Sequence, residues 1–129
     1  MGFHVIRAGD DVWEERPNAD GAARQVADLT SAGALTQSRA RLWRYPARTR
    51  GRRHRELAQE EVFVVLEGTL TLALGDPPQR VDVGRGDVVT LEIGTEVQMR
   101  NESDGEVVVF VYGAPPVAGQ AEHLDDVEL

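Results

Sequence analysis

An all-β domain of sandwich or barrel type is predicted by three observations. Seven short runs rich in Val, Leu, Phe and Thr follow one another between Ser38 and Tyr112, Gly, Pro and Asp separate them, and the longest apolar stretch, Val107 to Tyr112, is only strand-sized. Short strands with a turn signal after each are the pattern of such folds.

The chain of 129 residues suits one domain, long enough to bury a core and too short for a second one. Its barrel core is expected at 38–113, with an N-terminal extension over 1–37 and an acidic tail over 114–129. Phe3 to Arg7 alternates well enough for a short strand, and the polar lead-in from Asp10 to Thr36 leaves room for a short helix around Ala22 to Leu29. The predicted strands are then Arg39 to Tyr45, Glu61 to Glu67, Thr69 to Leu74, Gln79 to Val83, Asp87 to Glu92, Glu96 to Asn101 and Glu106 to Tyr112. Glu67-Gly68 and Gly75-Asp76-Pro77-Pro78 are natural reversals. Asp104-Gly105 between two strand-like runs reads as a hairpin turn. After Gly113-Ala114-Pro115-Pro116 the periodicity is lost, so the acidic tail is expected to leave the barrel.

Composition narrows the function. With no cysteine there are no disulfides, thiolate metal sites or cysteine nucleophiles. The first residues lack an apolar signal-peptide core, and no stretch approaches the roughly 20 apolar residues of a membrane helix, so a soluble cytoplasmic protein is expected. A net charge of −8 argues against nucleic acid as a partner. The basic residues are all arginine, and eight of the fourteen crowd between Arg39 and Arg55. These are read as facing the acidic ends of the chain, within or between subunits, or as an anion-binding patch.

His54-Arg55-Glu56, followed by Glu61 and closed by Gly68, carries the candidate chemistry. Residues i and i+2 of a strand share a face, so His54 and Glu56 project together while Arg55 points away. Glu61 opens the next strand, which sets a third donor opposite the pair if the two strands form a hairpin. One imidazole and two carboxylates suit a first-row divalent ion such as manganese, iron(II), nickel or zinc. The glutamates can equally pair with Arg41, Arg53 or Arg100 and hold no metal. Residue types and spacing leave both readings open.

From Gly51 to Gly68 the chain resembles the first motif of the cupin superfamily, in which a Gly precedes a His-x-His pair and a Glu and a closing Gly follow. Glu61 and Gly68 match in place, Gly51 lies nearer His54 than is usual, and Glu56 stands at the second His position. The second motif, Gly, then Pro-x-Gly, then His and Asn, is met by Gly86, Gly94 and Asn101, with Glu92 in the Pro position and Val97 in the His position. The resemblance implies a jelly-roll β-barrel, usually a homodimer, with its site inside the mouth. It implies His54 and Glu61 as metal ligands, Glu56 as a competent substitute, and no ligand at Val97, which has no lone pair. The implied cofactor is one divalent transition metal (Mn, Fe, Ni or Zn), or none where the site has been lost.

If Glu61, Phe63 and Val65 face the lumen, Val97 and Met99 face it too, and Gln98 and Arg100 point away. The expected ligand pocket is formed by Phe63, Val97, Met99, Phe110 and Tyr112. Arg41, Trp43 and Tyr45 share one strand face, and either they or Phe110 and Tyr112 line a pocket or serve a dimer interface. Asn101 is expected to tie its turn to the backbone, and Trp13 to anchor the lead-in on a partner subunit or on the chain's own core. The functional reading is a small cupin of partly lost metal site that binds a small organic molecule. Its alternative is a metal-dependent isomerase, dioxygenase or lyase using His54, Glu56 and Glu61. A third reading, a metal-free enzyme, uses Glu56 or Glu61 as base. Ser/His/Asp sets and Gly-rich phosphate loops are absent, so acyl transfer and dinucleotide chemistry have no support.

Overall fold

The computed structural model describes residues 2–17, 23–117 and 119–129. In chain order its elements are β1 (Trp13–Arg16), β2 (Arg24–Asp28), α1 (Leu29–Ala32), β3 (Arg39–Tyr45), β4 (Thr49–Arg50), β5 (His54–Glu56), β6 (Glu60–Glu67), β7 (Leu70–Leu74), β8 (Gln79–Val83), β9 (Val88–Leu91), β10 (Val97–Asn101), β11 (Val107–Ala114) and β12 (Ala121–His123). Two antiparallel sheets face each other, one in the order β1-β2-β3-β11-β6-β9, the other β12-β5-β10-β7-β8 with β4 also paired to β10. This is a jelly roll, and all seven predicted runs are strands in it.

Alternation explains the layers. On β6, Glu61, Phe63 and Val65 are buried while the residues between them are more exposed, and β11 repeats the pattern with Val107, Val109 and Val111 inward. The second sheet meets them with Leu70, Leu72, Val97 and Met99, so one apolar cluster joins the two layers. At roughly 25 cal/mol per Å² of apolar surface removed from water, this layer is the main source of stability.

Tight turns carry the chain between layers. Gly68 has φ +79°, and a Cβ there would lie 2.3 Å from the carbonyl oxygen of Glu106, so only glycine fits where β6 passes into β7. Asn101, as expected, pins the β10–β11 crossing. Its Nδ2 donates to the carbonyls of Tyr45, Pro46 and Gly105 at 3.0, 3.0 and 2.8 Å, and its Oδ1 accepts from the backbone N–H of Ser103 at 3.0 Å. Asp104-Gly105 is therefore not a hairpin turn: β10 lies in one sheet and β11 in the other. The Gly-Asp-Pro-Pro reversal is a true hairpin, pairing Leu74 with Gln79.

Three further expectations are corrected. Phe3 to Arg7 forms no strand and joins neither sheet, and Phe3 is 87% exposed. The segment read as helix is strand β2 over Arg24–Asp28, drawn into pairing by β3, with Val26 opposite Trp43; Ala22, where the helix was expected to begin, lies outside the described residues. The actual helix is the single turn α1, capped by the Asp28 carboxylate accepting from Ser31 N–H at 3.2 Å. The C-terminal segment does not leave the barrel. It returns as β12 against β5, pairing Ala121 with Glu56 and His123 with His54, and continues over the outer face of β10. There Gln98 and Arg100, which point away from the lumen as expected, are buried beneath it, with Gln98 donating to the Asp126 carboxylate and Arg100 to the carbonyl of Val127. The opposite charges of the Arg-rich run and the acidic tail do meet within the chain, as in Arg50 to Asp126 at 2.7 Å and Arg55 to Glu122 at 3.0 Å. Trp13 is half-buried on the chain's own surface beneath Arg44, 4.1 Å from guanidinium carbon to ring centre. Among the described residues no helix is long and apolar enough to cross a membrane.

Candidate metal centre and cavity

The three metal-capable side chains converge, but not on one hairpin. His54 and Glu56 come from β5 of one sheet and Glu61 from β6 of the other, so the site spans the gap between the layers. Their i, i+2 spacing turns His54 and Glu56 inward, while Arg55 points out to grip Glu122 with two nitrogens at 3.0 to 3.2 Å. The second motif supports the first through the Gly94 N–H, which donates to the Glu56 carbonyl at 2.8 Å.

His54 Nε2 lies 3.9 Å from Glu56 Oε1 and 3.9 Å from Glu61 Oε1, and one ligand atom from each residue falls within 4.8 Å of the others. Glu56 and Glu61 are almost fully buried, and His54 is partly open to the mouth. His54 Nδ1 is 3.1 Å from the Arg52 carbonyl oxygen, which accepts its proton and leaves Nε2 bare toward the carboxylates. Burial holds the His54 pKa below its ordinary value, so at neutral pH the imidazole is uncharged and its approaches to the glutamates are not ion pairs. Burial, with the Glu56 charge beside it, pushes the Glu61 carboxyl up to about 7 against the pull of Arg41 and Arg39. Glu56 Oε2 is buried with no hydrogen-bond partner.

A neutral imidazole, a carboxyl poised to lose its proton and an unpartnered buried carboxylate oxygen are the donor set a divalent cation satisfies. The residues present therefore fit a metal. None of the arginines named as alternative partners lies within 4.0 Å of either carboxylate among the described residues: Arg53 approaches Asp76, Arg100 approaches Glu102, and Arg41 stacks on Trp43 at 5.8 Å.

The trio opens into a cavity of about 310 Å³. Phe63 and Met99 line it, and Arg41, Trp43 and Tyr45 all face it. Val97, expected in the pocket, does not line it: it is fully buried directly across from His54, an apolar neighbour at the position where the second motif usually offers an imidazole. Phe110 and Tyr112 do not line it. Inward residues of β11 are odd-numbered, so Val111 faces the cavity and Phe110 and Tyr112 turn to the outer face of the sheet. Sequence reasoning missed Arg24, Arg39, Arg52 and His123 as lining residues. Arg39 was findable, since it shares the i, i+2 face of Arg41 and Trp43; Arg24 and His123 belong to segments with no strand pattern.

A family model described as a cupin domain matches residues 41–113. No curated protein sequence matches significantly. A sugar phosphate isomerase from a cupin superfamily, from Silicibacter pomeroyi, is 26% identical with a TM-score of 0.65, covering 70% of this chain and 59% of its own. This chain thus spans only about three fifths of that protein. A proposed sugar phosphate isomerase from Acidithiobacillus ferrooxidans aligns over 97% of this chain and 95% of its own, with a TM-score of 0.76 and 19% identity. A predicted oxalate decarboxylase from Thermotoga maritima aligns over 86% and 98%, with a TM-score of 0.75 and 17% identity. At those two identities the likeness is one of fold.

Proposed function

Because this chain belongs to the cupin family, we propose that it holds one divalent transition metal ion, manganese, iron(II), nickel or zinc, on His54, Glu56 and Glu61, and binds a small organic molecule beside it. The observation that carries the reading is Glu56, whose buried Oε2 has no partner while its Oε1 lies 3.9 Å from a bare imidazole nitrogen. An unpaired buried carboxylate costs several kcal/mol, which a cation removes. When bound, such an ion supplies Lewis-acid polarisation of an oxygen on its neighbour.

The chain's own residues shape the rest. The Arg52 carbonyl orients His54, Phe63 and Met99 keep one wall dry, and the Tyr45 hydroxyl, fully buried and accepting from Arg24 at 3.1 Å, stays protonated because burial raises its pKa. The 26% identical sugar phosphate isomerase favours the catalytic form of this reading, isomerisation of a small organic substrate.

Elemental analysis of protein purified without chelators tests it. Near-stoichiometric metal that falls in Glu61→Ala supports the trio; an empty wild type overturns it. A second reading then rests on Glu61 alone, whose carboxyl at about 7 suits a metal-free general acid–base.

We also infer a homodimer. The outer face of the first sheet carries Leu42, Val62, Val64 and Phe110 in register, rimmed by exposed Leu66, Val88 and Tyr112. An apolar sheet face of this extent supports burial against a second copy.

A further inference from the structure

We propose that the cavity selects an organic oxyanion, a small molecule whose carboxylate or phosphate group is held by Arg24, Arg39, Arg41 and Arg52 while its body lies against Phe63 and Met99. The proposal rests on the reading of this cavity as the ligand site and names the chemistry it accepts.

Among the described residues, charge pairing elsewhere leaves six of the fourteen arginines without a carboxylate within 4.0 Å, and four of the six, all but Arg7 and Arg85, line this cavity. Eight other arginines lie within 4.0 Å of a carboxylate: Arg16, Arg44, Arg48, Arg50, Arg53, Arg55, Arg80 and Arg100. None of the four does so among the described residues, although the chain carries a net charge of −8 and has acids to spare. Topology brings them together. Arg39 and Arg41 share the inner face of β3 with Trp43 and Tyr45; Arg24 shares the inner face of β2 with Val26, which pairs with Trp43; and Arg52 enters from the opposite sheet just before β5.

Arg39 and Arg41 act on Glu61 through space, but none of the four pairs directly with either glutamate. Guanidinium groups placed to neutralise the glutamates would reach Glu56 and Glu61, yet the four remain beyond 4.0 Å, and Glu56 Oε2 is left without a partner. Four guanidinium groups against two carboxylates leave the cavity positive inside an acidic protein, and a bound divalent ion makes it more so. Arg24 is also held in place, stacked at 4.8 Å on Trp43 and donating to Tyr45, with its Nε buried and unpartnered. Planar guanidinium forks are the groups best matched to carboxylate and phosphate oxygens.

Size argues for an organic anion over a bare inorganic one. About 310 Å³ is the volume of roughly ten waters, more than one phosphate fills, and the remaining wall of Phe63, Met99 and Val111 is apolar.

The test is calorimetric titration of the full-length protein with phenyl phosphate, benzoate and benzyl alcohol, which share a ring and differ in the head group. Titrations run in chelator and again with added manganese. The expected result is binding of at least one of the two anions, at least tenfold tighter than benzyl alcohol, already present in chelator and weakened by salt; which anion wins identifies the head group. Arg41→Gln and the rim variant Arg52→Gln lower that affinity about tenfold each, and Arg85→Gln, on the exposed β8–β9 turn, does not. Arg52 is exposed, so its variant keeps the test open if Arg41→Gln unfolds. Equal affinity for the alcohol, no anion binding at millimolar concentration, or equal loss in Arg85→Gln overturns the proposal. Protein that carries no metal as purified and still binds the anions overturns only the metal reading.

Discussion

Glu61 is the side chain on which solution behaviour turns. Its folded pKa of about 7 stands above the ordinary carboxyl value of 4.5, so the folded state holds a proton that the unfolded state has released between those values. Stability of the chelated protein therefore falls as pH rises from 4.5 through 7, by roughly 2 to 3 kcal/mol. Urea denaturation in chelator at pH 5 and pH 8 measures the difference, and Glu61→Gln removes most of it. Metal affinity has the opposite sign, rising through about pH 7 as the cation displaces the proton. Val97→His sets a second imidazole beside His54. It is expected to raise metal affinity at least tenfold, measured by competition with a chromophoric chelator, and to cost about 1 to 3 kcal/mol in metal-free protein, where a buried ring nitrogen lacks a partner.

At the level of elements, the C-terminal segment is the one whose role composition concealed. It completes the sheet beside β5, supplies His123 to the cavity mouth and satisfies Gln98 and Arg100 on the outer face of β10. Removing residues 119–129 leaves two buried polar side chains without those partners, with an expected loss of about 2 to 4 kcal/mol. Thermal and urea melts measure it; an unchanged midpoint would contradict the packing described. Asp28 offers a smaller test on α1, where Asp28→Ala deletes the cap and costs about 1 kcal/mol.

For the whole molecule, the apolar outer face of the first sheet sets the expected assembly. Phe110→Asp places a charge amid Val64 and Leu42 on that face, far from the cavity wall, and is expected to turn a dimer into a monomer by sedimentation while metal content stays unchanged. The barrel strands were legible in the sequence because a half-buried strand must alternate, and Arg39–Tyr45 and Gln79–Val83 are found with the bounds their alternation predicts. His54, Glu56 and Glu61 were legible as a trio because donor type and spacing are local properties. Two-residue periodicity also placed Phe63 and Met99 inward, but it cannot choose a strand's inner face without knowing its partner, and Phe110 and Tyr112 were assigned to the wrong side for that reason. By itself, then, the sequence determined the strand pattern, the turn chemistry and the identity of the metal-capable donors, all of which depend on near neighbours. Only the tertiary structure decided that the donors meet across two sheets, that β2 and β12 pair as strands, and that four arginines face one cavity. Those outcomes depend on contacts between distant segments, where the pairing offered by β3 and β5 outweighs weak local preference.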